Sequence, residues 1–130
     1  MPGVNDWLKK ASNDLKASKK LSDDHETFDC AVFHTHQCAE KAFKAFIVPS
    51  KRPIPKTHDL KLLLEYCVKA DAEFMLFRED SRSLDAYGHD SRYPNDSFYV
   101  DKQAVEKAIV IAEDLLISIK RKLYAQASQP

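Results

Sequence analysis

Glycine is almost missing from this chain: Gly3 and Gly88 are the only two in 130 residues. Two isolated glycines cannot let a backbone wrap a pyrophosphate, so a P-loop and a dinucleotide-binding fold are excluded. Strand-like alternation is scarce too. The three cysteines, Cys30, Cys38 and Cys67, are odd in number and lack CxxC spacing, and they read as reduced core thiols that pack like small hydrophobes. Net charge is absent, because twenty Lys/Arg cancel twenty Asp/Glu. No global field then draws the chain to nucleic acid or to an anionic membrane, and any such binding is local. No apolar run approaches the roughly 18 residues that could span a bilayer. The start, MPGVNDWLKKASNDL, lacks a basic-then-apolar signal pattern, so the expectation is a soluble, cytoplasmic protein.

What is present is helical periodicity. Phe28 to Ile47 places Phe28, Ala31/Val32, Thr35, Cys38/Ala39, Ala42/Phe43 and Phe46 at spacings of three and four, the pattern of a long helix with one apolar face. Before it, a first helix is expected from Asn5 or Asp6 to about Leu21, with Trp7/Leu8, Ala11, Leu15 and Ser18 on one face. Ser22–His25 connects the two, and Asp23 with Glu26 resembles a capping box. After Ile47, Pro49, Pro53 and Pro55 favour an extended loop. Thr57 is expected to cap a third helix with Leu60, Leu63/Leu64 and Cys67 inward, and Asp71 a fourth, from about Ala72 to Ala86, with Phe74, Phe77 and Leu84 inward. His89–Val100 reads as a loop. Asp101 caps a last helix through Val105, Ala108/Ile109, Ala112, Leu115/Leu116, Ile119 and Leu123.

The fold class is therefore all-α: an antiparallel up-and-down bundle of four long helices plus a shorter fifth, one domain over 1–130, ordered from about 5 to 124. Val110, Ile111 and Ile117 widen the apolar stripe of the last helix. That width fits either a homodimer face or a helix buried on two sides by its own chain.

The polar residues offer several chemistries. His34 and His36 point about 200° apart on a helix and cannot share a metal. His36 with Glu40, or His34 with Cys38, are one turn apart, but zinc takes about three or four ligands and the chain supplies no others at fitting spacing; no metal and no cofactor are expected. Six Lys/Arg against one acid between Lys41 and Lys61 make either a phosphate-holding turn or a solvated loop. Arg82 and His89 are seven apart, followed by Asp90, Arg92 and Tyr93. An arginine to hold phosphate and a histidine that exchanges protons near neutrality are what metal-free RNA cleavage needs, with the 2′-hydroxyl as nucleophile. Alternatively Gly88 ends the helix, His89 is a turn residue, and Arg92 pairs with Asp85 or Asp90.

Four segments in order carry a resemblance: Trp7, Ala11, Asp14 and Leu15; HQCAEKAFKAF from His36; Thr57–Leu60, THDL; and Leu84, Tyr87 and Ser91–Pro94, SRYP. Together they resemble the HEPN family, the higher eukaryotes and prokaryotes nucleotide-binding domain, in its SRYP-containing branch. The resemblance implies a helical bundle that homodimerises, binds a nucleotide or RNA, and is often encoded beside a minimal nucleotidyltransferase in a toxin–antitoxin pair. Some relatives are metal-independent ribonucleases with an R-x4–6-H motif, which Arg82 and His89 match here. Two functional classes follow. In one, the protein is a binding module whose Arg92, Tyr93, Lys41, Glu40, Gln37 and His58 hold a nucleotide or a partner nucleotidyltransferase; in the other, it is a ribonuclease toxin using Arg82 and His89. The binding module is the preferred expectation.

Overall fold

The computed structural model describes residues 2–88, 91, 94 and 98–128. Five α-helices account for most of them: α1 (Val4–Leu21), α2 (Phe28–Ile47), α3 (Leu60–Ala70), α4 (Arg78–Asp85) and α5 (Lys102–Ala127). The all-helical bundle expected from periodicity is the fold, with α2 at its centre: α1 and α5 lie along it, and α3 and α4 pack on it and on each other.

The core follows the predicted stripes. Ala11 and Leu15 of α1, Val32, Ala39 and Phe43 of α2, Leu60, Leu63 and Cys67 of α3, Leu84 of α4, and Val105, Ala112 and Ile119 of α5 are all buried. Small residues at Ala11, Ser18, Ala31, Thr35 and Ala39, each 0% exposed, let α1 and α2 approach closely. The far end of the bundle is filled by rings, with Phe74 4.4 Å from Phe46 and 5.5 Å from Phe77 between centroids.

Helix ends depart from expectation in four places, each for a local reason. Helix α1 begins at Val4, and Asp6 reaches back to accept a hydrogen bond from Gly3 N at 2.9 Å. The connection to α2 is capped by Asp24, not Asp23: its carboxylate accepts from Glu26 N and starts a single 3-10 turn, His25–Thr27. Asp59 caps α3 in place of Thr57, because it accepts from both Lys61 N and Leu62 N, while Thr57 Oγ1 accepts from Asp59 N. The expected single helix from Ala72 is a 3-10 stretch, Ala72–Phe77, that becomes α-helical only at Arg78 and tightens again over Ala86–Gly88. In 3-10 geometry residues three apart eclipse, so Phe74 and Phe77 both turn to the core.

Cys38 and Cys67 are buried, and burial pushes both thiols up to about 12. Cys30 corrects the expectation of three core thiols: it is exposed, in the first turn of α2 before that helix enters the bundle. Among the described residues no helix is long and apolar enough to cross a membrane.

Candidate functional site

The polar side of α2 is neither a wet surface nor an open cleft, because its side chains are paired within the fold. Glu40 is 2% exposed. One of its oxygens accepts from Lys44 Nζ at 2.9 Å, and the other lies 2.7 Å from His58 Nδ1. A carboxylate can only accept, so His58 carries a proton on Nδ1. Burial pushes the Glu40 carboxyl up, but the hydrogen bonds from His58 and Lys44, with the charges of Lys44 and Lys41, outweigh it and hold the group below its ordinary value. Lys44 also lies 5.5 Å from the centre of the Trp7 ring.

His36, 1% exposed, lies one turn before Glu40 on the same helix and has partners of its own. Its Nε2 is 3.4 Å from Asp85 Oδ1, its Nδ1 is 3.3 Å from Gln37 Oε1, and Asp85 Oδ1 also accepts from Leu60 N at 3.1 Å. His36 and Glu40 therefore have different partners and do not converge on one point. His34 pairs with Asp14 at 2.9 Å, not with Cys38, and Lys41 is 3.9 Å from the other Asp14 oxygen. The THDL segment is a clamp in which each residue holds a neighbour: Thr57 orders the turn, His58 reaches α2, Asp59 caps α3, and Leu60 N reaches α4 through Asp85.

A groove of about 650 Å³ opens between α3 and α4. Leu64, Val68 and Met75 give it an apolar floor, and Lys61, Lys69, Arg78 and Arg82 rim it against two carboxylates, Glu65 and Asp85. Asp85 is already engaged by His36 and Leu60 N, which leaves the balance positive. Arg78 and Arg82 stand one turn apart on α4, both exposed, and among the described residues neither forms an ion pair. Between them in sequence, Ser81 is 2% exposed, and its Oγ has no hydrogen-bond partner among the described residues. An unpaired buried hydroxyl costs about 1–3 kcal/mol, and here it lies in the wall of a cationic groove.

Of the residues singled out from sequence, the structure brings Arg82 to this groove. Gln37, Glu40, Lys41 and His58 lie in or beside the internal networks of α2. His89, Arg92 and Tyr93, with Asp90, lie outside the described residues. Lys61, the last of the basic run read from sequence, also lines the groove, whereas sequence reasoning missed Arg78, Ser81 and Lys69; the one available signal was the one-turn spacing of Arg78 and Arg82. Arg52 of the basic segment is taken up by the fold, donating to Tyr66 O at 3.0 Å and standing over the Tyr66 ring.

Compared with known proteins, residues 4–122 match a family model described as the HEPN domain. No curated protein and no solved structure matches the chain.

Proposed function

We propose that this chain, which belongs to the HEPN domain family, works as a two-copy module that binds the phosphate groups of a nucleotide or an RNA in the groove between α3 and α4. The observation that carries the reading is the pair Arg78 and Arg82, one turn apart and, among the described residues, in no ion pair, on the rim of a groove with an apolar floor. Guanidinium groups match phosphate oxygens with two parallel donors, and the apolar floor of Leu64, Val68 and Met75 suits the face of a base or ribose. Arg92 and Tyr93 follow α4 in the chain and extend the same reading, Arg92 as a further phosphate contact and Tyr93 as a stacking ring.

Titration of the full chain with ATP and with a short labelled RNA, followed by fluorescence anisotropy at several salt concentrations, tests it. Binding should weaken as salt rises, and Arg82→Ala or Arg78→Ala should each lower affinity about tenfold, the loss of one charge-assisted contact. Unchanged affinity in the Arg78→Ala/Arg82→Ala double variant would overturn the groove as the site. Cleavage of the RNA in the same tubes, abolished by His89→Ala, would instead bring forward the ribonuclease reading, in which Arg82 and His89 act on the 2′-hydroxyl and the scissile phosphate. A partner nucleotidyltransferase is a further ligand of the same class of test.

A further inference from the structure

Helix α5 exposes a stripe that the bundle does not use. Gln103, Lys107, Val110, Asp114, Ile117, Arg121 and Tyr124 are all exposed, at alternating spacings of four and three that hold them on one line along the helix. Three are large and apolar: Val110 is 55% exposed, Ile117 41% and Tyr124 72%. They recur every seventh residue and extend over about 21 Å of helix. Ile111, by contrast, packs against the core, so the wide apolar stripe of this helix divides into an inner face and an outer one.

Among the described residues, the charges between these apolar residues form no ion pair within the chain. Glu113, next to Asp114, pairs with Lys19 at 2.6 Å, and Lys122, next to Arg121, pairs with Asp71 at 2.8 Å. Asp114 and Arg121 make no ion pair among the described residues. They stand seven apart, too far to meet each other along one helix, on either side of Ile117.

We propose that this outer face is an interface with a second copy of the chain, in which two α5 helices cross antiparallel about a two-fold axis at Ile117–Ser118. The antiparallel sense follows from charge. A parallel pair would set Asp114 on Asp114 and Arg121 on Arg121. An antiparallel pair sets Asp114 of each copy against Arg121 of the other, Val110 near Tyr124 of the other, and Ile117 beside its own symmetry mate. Such a contact is self-complementary, as a two-fold interface has to be. The inference rests on the two-copy part of the function proposed above and assigns it a surface.

Sedimentation equilibrium of the full chain and of charge-reversal variants tests both. The wild type should be a dimer. Asp114→Arg and Arg121→Asp should each weaken it about tenfold or more by setting like charges together, and the double variant Asp114→Arg/Arg121→Asp should restore it, a rescue that a single helix cannot supply internally. Ile117→Asp should give a monomer with unchanged helical circular dichroism. A dimeric wild type whose association ignores all four variants overturns the α5 interface and leaves the two-copy reading standing. A wild-type monomer overturns both, and if Ile117→Asp then abolishes binding to a purified partner nucleotidyltransferase, the face belongs to that partner and not to a second copy.

Discussion

His58 Nδ1 lies 2.7 Å from a carboxylate oxygen of Glu40, although the His58 side chain is 70% exposed and that of Glu40 only 2%. A solvated ring thus closes the outer end of a buried carboxylate, while Lys44 closes the inner one. The arrangement makes Glu40 the electrostatic anchor between α2 and the start of α3, and it has a pH signature. A carboxyl held below its ordinary value of 4.5 contributes stability that is fully present above that value and is lost as pH falls through the lower, folded value. Melting temperature should therefore drop as pH is lowered from 4.5, and Glu40→Gln should flatten that part of the profile. Parallel profiles for the two proteins would remove Glu40 from the explanation. At neutral pH, Glu40→Ala strands the Lys44 ammonium and should cost about 3–5 kcal/mol. His58→Ala, which removes only an exposed partner, should cost about 1 kcal/mol, measured by urea unfolding.

Gly88 packs flat against the ring of His36. A Cβ at this position would stand 2.5 Å from His36 Nε2 and 2.7 Å from Cε1, inside any real contact distance, and the ring is itself held by Asp85 and Gln37. Gly88→Ala should thus destabilise by about 1–3 kcal/mol, the usual cost of overpacking a filled site. The cause can be isolated by a double-mutant cycle: in a His36→Ala background the added methyl has room, and the penalty of Gly88→Ala should largely vanish. Strict additivity of the two substitutions would place the strain elsewhere.

The three thiols should divide one against two. Only the thiolate reacts with disulfide reagents, and Cys38 and Cys67 are both enclosed and pushed up to about 12. In the folded protein at mildly alkaline pH, 5,5′-dithiobis(2-nitrobenzoate) should modify Cys30 alone, and in guanidinium chloride all three. Fast reaction of a second thiol without denaturant would mean that the bundle opens around α2 far more readily than its packing implies.

Much of the fold was legible because helix periodicity is a local signal. The stripes of α1, α2 and α5 could be read residue by residue, and Ala11, Leu15, Phe43, Ala112 and Ile119 lie where spacing put them. The ends were harder. Thr57 and Asp59 are both good caps, and only the reach of the Asp59 carboxylate to two amides decides between them. Phe74 and Phe77 are three apart, a spacing that serves a 3-10 turn as well as an α-helix, so the break before Arg78 leaves no trace in the sequence. The site was less legible still. Glu40 and His58 are eighteen positions apart, and nothing local announces their contact. Arg82 drew notice through its spacing to His89, but Arg78, Ser81, Lys61 and Lys69 become neighbours only when α3 docks on α4.

After Cys30, α2 has no exposed residue: every position from Ala31 to Ile47 is buried or partly buried. A helix so largely enclosed has little surface of its own to offer and little room to rotate or slide. Whatever the molecule distinguishes among its ligands and partners should therefore be encoded on the outer helices and the loops, which can vary while the bundle stays the same. A saturation library along α2 should yield variants that differ in how well they fold, and very few that fold normally but bind differently.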